Sequence, residues 1–352
     1  MSHVTDRWQV AFFTWLWLAM VAPADELPLG LARLDPEEPP PPAAEVRLGK
    51  ELFFDKRLSV DGSVSCATCH VPAEAFAQRG RPVSEGVGGK LGRRNSPSLL
   101  NVTFAKHLFL DGRSNSLEDQ AWQPILAADE MGNHTVEEVL ERLAGLASYA
   151  TLFRDASGTE VPDKATVATA LASYQRTLLS GNSPFDQWYW GGEKEAISPL
   201  AIEGFNLFSG QALCWQCHSV GGDHGITFTD QQFHNTGVEW LSRQKREEAE
   251  AGNPDQSRAD DDGRFEATGK TRDREHYKTP SLRNIALTPP YMHDGSFETL
   301  AEVVEFYNRG GGDGSTQPLY LNEGEQEAIV AFLECLTGDQ NFAPAPETKP
   351  AG

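Results

Sequence analysis

Four of the five cysteines in this 352-residue chain fall into two copies of one pattern, Cys66-Ala67-Thr68-Cys69-His70 and Cys214-Trp215-Gln216-Cys217-His218. C-x-x-C-H is the attachment signature of c-type haem. Two thiols one helical turn apart reach the two vinyl groups of one porphyrin, and the adjacent histidine falls beneath the iron as proximal ligand. At this chain's own Cys and His frequencies, one chance match is expected in roughly one chain in 500. A thioredoxin-like C-x-x-C does not account for a histidine in the next position twice, and a zinc site built from both pairs leaves the histidines unexplained. The fifth cysteine, Cys335, shares an amphipathic stretch with Ile329, Phe332 and Leu336 and reads as a buried, inert thiol.

Export agrees with this cysteine usage, because c-type haem is attached outside the cytoplasm. Arg7 precedes an apolar run from Trp8 to Val21, and Ala22-Pro23-Ala24 offers small residues for cleavage, so 1–24 reads as a signal peptide and the mature chain as periplasmic, with no membrane span. An uncleaved anchor is the other reading. A net charge of −21 argues against nucleic acid and fits a soluble protein that steers a basic partner. The charge-rich stretch from Glu247 to Asp262 reads as a solvated loop.

A weak internal repeat frames the motifs. Gly49-Lys50-Glu51-Leu52-Phe53 precedes the first and Gly204-Phe205-Asn206-Leu207-Phe208 the second. This predicts a mainly α protein of two cytochrome-c-like haem domains, 45–190 and 191–340, after a Pro-rich linker (25–44) and before a loose tail (341–352). Thr135 to Glu138 and Thr299 to Glu302 read as capping boxes. Ser198-Pro199 reads as an N-cap with proline at the first helical position. Val167, Leu171, Tyr174 and Leu178 form one stripe over 164–180, and Leu300, Val303 and Tyr307 share a face.

Electron transfer needs only the haem, whereas catalysis on peroxide also needs an open iron position and an acid/base group beside it. Candidates for a sixth ligand are Met131, Met292, Tyr307 and the histidines at 107, 134, 224, 234, 276 and 293. Spacing alone does not choose among them.

Several blocks resemble the bacterial di-haem cytochrome c peroxidase family, and within it the MauG-like branch, over about residues 45 to 340. They are Arg94 to Asn101, Asp111-Gly112-Arg113 with Leu117 to Ala121, Pro124-Ile125 and Glu130-Met131-Gly132, then Thr177 to Gly181, and Lys278 to Asn284 running on through Leu287 to Gly295. The resemblance implies that the haem of Cys66, Cys69 and His70 reacts with hydrogen peroxide. It implies that Glu130 is the distal acid/base group with Gln120 and Pro124 as neighbours, and that the haem of Cys214, Cys217 and His218 transfers electrons. It also implies one Ca²⁺ between the domains, held by Asn95, Thr288 and Pro290, for which oxygen donors are suited.

Other members carry a methionine nineteen residues after the position of Thr288 as ligand to the second haem, and the MauG-like branch carries a tyrosine; this chain has Tyr307. A phenolate ligand implies a low potential. No histidine lies between His70 and His107, where other members often carry one that blocks the first iron, so a five-coordinate first haem is expected. Two departures stand out. The family's tryptophan before Asp-Gly-Arg is Leu110, with Trp122 the nearest substitute. The surface tryptophan two residues before the second motif in the protein that names the branch is Ala212.

The expected function is a peroxidase that takes electrons from a small redox protein through the second haem. A MauG-like oxidation of side chains on a partner protein and a non-catalytic electron carrier or haem sensor are the alternatives.

Overall fold

The computed structural model describes residues 27–31, 39–220, 227–250 and 260–340. The apolar run at 8–21, the tail, His224 and the middle of the acidic stretch lie outside them. The described residues form twelve helices: α1 (Ala43–Phe54), α2 (Cys66–Cys69), α3 (Leu117–Leu126), α4 (Val136–Ala144), α5 (Ala147–Ser157), α6 (Lys164–Arg176), α7 (Pro184–Tyr189), α8 (Pro199–Ser209), α9 (Val238–Glu250), α10 (Phe265–Thr268), α11 (Leu300–Asn308) and α12 (Glu323–Glu334). One short antiparallel ladder, β1 (Phe233–His234) on β2 (Tyr277–Lys278), pairs Phe233 with Lys278 and His234 with Tyr277. The protein is mainly helical.

Local sequence places most helix ends. Thr299 caps α11 with a full capping box closed by Glu302, and Ser198 caps α8 ahead of Pro199. At α4 the box is only half formed. Thr135 accepts from the Glu138 amide, but the Glu138 carboxylate turns to the His134 N–H instead. Helix α6 ends at Arg176, and Leu178, expected on its stripe, is buried just beyond it. Part of the expected linker is docked: Leu29 N–H donates to Asn182 Oδ1 at 2.7 Å, and Arg283 donates to the Gly30 carbonyl at 2.9 Å.

The internal repeat becomes a repeated helix crossing. Helix α1 meets α6 at Gly49, where a Cβ would lie 1.8 Å from the Ala170 carbonyl oxygen. Helix α8 meets α12 at Gly204, where a Cβ would lie 1.8 Å from that of Ala328. Only glycine permits either approach. Around the first crossing Leu48, Leu52, Phe53, Phe153, Val167 and Leu171 form one buried cluster; around the second Phe185, Phe208, Phe228, Ile329 and Phe332 form another. Burying each such side chain contributes about 1.5–3 kcal/mol.

The repeat extends to two loops. Asn101 and Asn284 both adopt positive φ, each opening a short 3₁₀ turn. Asn101 exchanges hydrogen bonds with Ser180, just after α6, and Asn284 accepts from the Gly338 amide, just after α12. Ser180 is fully buried and also hydrogen-bonds Asn284, so the 177–181 block joins the two halves.

A second junction is ionic. Arg94 grips Asp261 through two hydrogen bonds of 2.6 and 2.7 Å and Asp111 through one of 2.5 Å. Burial pushes the Asp261 carboxyl up, but the hydrogen bonds and charge of Arg94 outweigh it and hold the group at about 2, below its ordinary 3.8. The contribution of the pair is therefore complete above about pH 4 and is lost as pH falls toward 2. Asp261→Asn leaves a buried guanidinium partly unpaired and is expected to destabilise the protein by about 3 kcal/mol at pH 7. The loss should shrink in denaturant melts repeated at acid pH; an equal loss at pH 7 and pH 2 contradicts the assignment.

Candidate haem centres

The two C-x-x-C-H segments are built alike. Ser65 and Thr68 form a capping box that closes α2, which sets Cys66 and Cys69 one turn apart. His70 follows as the C-cap, its N–H donating to the Cys66 carbonyl at 2.9 Å. In the second segment Cys214–Gln216 is a 3₁₀ turn, and the His218 N–H donates to the Cys214 carbonyl at 2.8 Å. None of the five cysteines is paired in a disulfide, and Cys335 is half-buried with its S–H on the Ala331 carbonyl.

Both histidines are oriented through Nδ1. His70 Nδ1–H donates to the Phe76 and Pro97 carbonyls at 3.2 and 3.1 Å, and His218 Nδ1–H donates to the Phe228 carbonyl at 2.9 Å with that of Pro280 beside it. Such bonds fix the tautomer that leaves Nε2 as the ligating nitrogen. Burial lowers the pKa of both rings, which keeps them neutral. Paired thiols, a neutral and pre-oriented imidazole and no competing disulfide fit two c-type haems. One carbonyl at each histidine, that of Pro97 or Pro280, comes from a duplicated tripeptide, Pro97-Ser98-Leu99 and Pro280-Ser281-Leu282; the other, that of Phe76 or Phe228, does not.

Glu130 lies in the turn after α3, and its charge acts on the thiols of Cys66 and Cys69. Burial, with Asp129 adding to it and Arg113 opposing, raises its pKa above the ordinary carboxylate value. The turn is held from two sides. Val60 N–H donates to the Met131 carbonyl at 2.9 Å; Val87 N–H donates to the Glu130 carbonyl, also at 2.9 Å, and Lys90 Nζ to that of Ala128. On α3, Gln120 and Pro124 stand one turn apart, and no protein hydrogen bond engages the Gln120 side-chain amide among the described residues. Proline lacks the N–H that would bond the Gln120 carbonyl.

The Ser84–Gly92 loop thus clamps the peptide that carries Glu130. A Cβ on Gly86 would lie 2.1 Å from the Asp129 carbonyl oxygen and 2.6 Å from that of Glu130. Gly86→Ala must push the turn aside, and a displacement of about 1 Å at such a group costs up to about 100-fold in rate. Peroxide kcat/KM is expected to fall about tenfold or more, with little further loss when Gly86→Ala is added to Glu130→Gln; full additivity of the two contradicts the clamp.

Comparison with known proteins bears directly on these centres. The family model for di-haem cytochrome c peroxidase matches residues 43–194. The methylamine utilization protein MauG of Methylorubrum extorquens is 41% identical over 338 residues, covering 91% of this chain and 89% of that one. The chain belongs to the di-haem cytochrome c peroxidase family. It is a peroxide-dependent di-haem oxidoreductase of this family. The cytochrome-c peroxidase IdrP1 of a Pseudomonas species is 36% identical, covering 86% of this chain and 83% of its own. A crystal structure of a MauG-like protein associated with microbial copper homeostasis superposes with a TM-score of 0.72 at 30% identity, over 87% of this chain and 95% of that one.

Of the sixth-ligand candidates in this di-haem oxidoreductase, Tyr307 lies at the second motif. Burial pushes its phenol up to about 12; Thr236 stands beside it, and the Cys217 and Cys214 thiols act on it. Most of the others are engaged elsewhere. His107 pairs with Asn115, His276 with the Arg274 carbonyl and buried His293 with Glu239, while His134 is exposed. Met131 is buried in the first cluster, and Met292 sits half-buried at positive φ. His234 bonds Asp230 at 2.7 Å, and these two with Cys217 place three donors within 4.8 Å; a thioether at Cys217 occupies the sulfur.

Asn95 sits between two loops. Its side-chain amide donates to the Arg81 and Pro82 carbonyls, and its N–H to that of His293 at 2.7 Å, which brings it to the segment that follows Thr288 and Pro290. No hydrogen bond engages Asn95 Oδ1 among the described residues. The Leu110 carbonyl accepts from Lys278 N–H at 2.8 Å. Trp122 is buried, its Nε1–H on the Lys164 carbonyl. Ala212 is buried and Trp215 is 46% exposed. Sequence reading missed Arg113, which counters Glu130 while pairing Asp111 and Gln123. It also missed the backbone amides of Val60 and Val87 that hold the Glu130 turn, which carry no side-chain signature.

Proposed function

We infer that the chain is an exported peroxidase of two cytochrome-c-like haem domains, 45–190 and 191–340, whose N-terminal centre takes hydrogen peroxide and whose C-terminal centre admits electrons. When bound, the haems supply iron that binds peroxide and stores and passes electrons. Glu130 is the proton carrier: its carboxylate takes the proton from the inner peroxide oxygen and returns it to the outer one as two electrons and a further two protons yield two waters. Gln120 orients the peroxide by hydrogen bonding, and Pro124 keeps that wall of the pocket free of a backbone donor. Tyr307, buried near the Cys214 and Cys217 sulfurs, would join His218 in holding the iron of the C-terminal haem. Asn95 Oδ1 and the carbonyls of Thr288 and Pro290 hold one Ca²⁺, a hard cation suited to uncharged oxygens.

The observation that carries this reading is Glu130, half-buried, raised in pKa and fixed in a clamped turn beside the first motif. A carrier or sensor has no use for such a group. Tyr307 favours a second reading, in which the oxidising power of peroxide is spent on side chains of a partner protein. One experiment separates the two: peroxide is supplied with a reduced small cytochrome or copper protein, and separately with the products of neighbouring genes. Stoichiometric oxidation of the small donor supports the peroxidase; a peroxide-dependent mass change in a partner protein supports the second reading. Neither result, in protein carrying both haems, removes both.

A further inference from the structure

Lys278 stands where the two halves meet. Its N–H donates to the Leu110 carbonyl at 2.8 Å, in the turn that leads to Asp111 and Arg113. Two residues on, Pro280 presents its carbonyl to the ring of His218. Side chains of a directly paired couple in a ladder share a face. Lys278 therefore lies on the side of its partner Phe233, whose ring abuts Gly112 and carries the Arg264 guanidinium at 3.6 Å from its centre. Tyr277, next along the strand, faces the other way and stacks on His293 at 3.8 Å.

The other cations of this junction are matched within the protein. Arg94 has Asp111 and Asp261, Arg113 has Asp111, and Arg264 has the Asp111 carbonyl. Lys278 is half-buried, yet among the described residues no hydrogen bond or ion pair engages its Nζ. Burial lowers its pKa to about 8, and no carboxylate among the described residues offsets the cost. Partial desolvation of an ammonium without a counter-charge is costly, and such groups are found paired. Each haem carries two carboxylates that no cysteine or histidine of the motif neutralises.

We propose that Lys278 is the counter-ion of a carboxylate of the C-terminal haem, and that its positive charge raises the reduction potential of that centre. The proposal rests on haem attachment at Cys214 and Cys217. A cation beside the porphyrin favours the reduced state, which carries one positive charge fewer. Lys278 thus offsets part of the lowering that a tyrosine ligand brings, and holds the centre where a donor can reduce it.

The test uses the holoprotein with both haems confirmed by intact mass. Lys278→Met preserves the length and apolar stem of the side chain; Lys278→Arg preserves the charge. Spectroelectrochemical titration should show the midpoint of the C-terminal haem falling in the Met variant, by about tenfold in the reduction equilibrium, or about 59 mV for one electron. The Arg variant should stay within threefold of wild type. An unchanged midpoint in a fully loaded Met variant overturns the proposal. A wild-type protein without covalent haem at the second motif instead overturns the reading on which it rests. Should the Met variant fail to fold, acetic anhydride labelling of wild-type holoprotein decides: Lys278 should be protected relative to exposed Lys270, and equal labelling counts against it.

Discussion

Glu130→Gln is expected to lower kcat/KM for hydrogen peroxide by about 10²–10⁴-fold, the range that a positioned acid/base group contributes. Haem content, ferric spectrum and thermal stability should hardly move, because among the described residues the carboxyl makes no hydrogen bond that supports the turn; the turn is held by backbone amides of Val60 and Val87. The pH profile gives a second readout. Burial raises the Glu130 pKa, with Asp129 in the same direction and Arg113 against. Proton abstraction needs the ionised form, so the acid limb of kcat/KM should fall above the ordinary carboxylate range. In the Gln variant that limb should vanish along with most of the rate. Stopped-flow measurement of peroxide consumption over pH 4–8 checks both, and a variant that retains wild-type rate and profile removes Glu130 from the chemistry.

Tyr307→Met is expected to raise the potential of the C-terminal haem by on the order of 0.1 V or more, since axial-ligand identity tunes haem potentials over about 0.8 V. As a neutral phenol Tyr307 would titrate at about 12, pushed there chiefly by burial near the Cys217 and Cys214 sulfurs. A ferric iron held by Tyr307 would draw that proton off, and losing the phenolate would stabilise the reduced state. The expected electronic signature is loss of the phenolate-to-iron absorption and its replacement by a His/Met spectrum, with both haems still attached. Tyr307→Phe should leave the iron without its sixth ligand and turn that centre high-spin. Retention of the wild-type spectrum in either variant shows that Tyr307 is not a ligand.

How far the site could be read in advance differed by part, and the reason is the length scale of each signal. The haem attachment residues are contiguous, and thioether chemistry itself dictates their spacing, so Cys66, Cys69, His70 and their counterparts stand out without an alignment. The glycines that precede them mark the helix crossings because close backbone approach admits no other residue. Glu130 and Tyr307 are different: a lone carboxylate and a tyrosine on an apolar face have no local signature. They became candidates by resemblance, and the structure then set each beside the sulfurs of one motif. The half-formed box at Thr135 shows the same limit at small scale. A capping pattern names the partners, but the neighbouring His134 amide decided where the Glu138 carboxylate went.

The amino-acid sequence by itself determined that two porphyrins can be bonded to the chain, that helices deliver both motifs and that the two halves share a plan. All of these follow from covalent chemistry, caps and periodicity, which act over a few residues. Tertiary structure alone decided which carbonyls orient His70 and His218, how a glycine loop grips the Glu130 turn, and that Lys278 meets no counter-charge among the described residues. These depend on groups far apart in the chain meeting at hydrogen-bond distance, and on which charges become desolvated together. No local pattern encodes either.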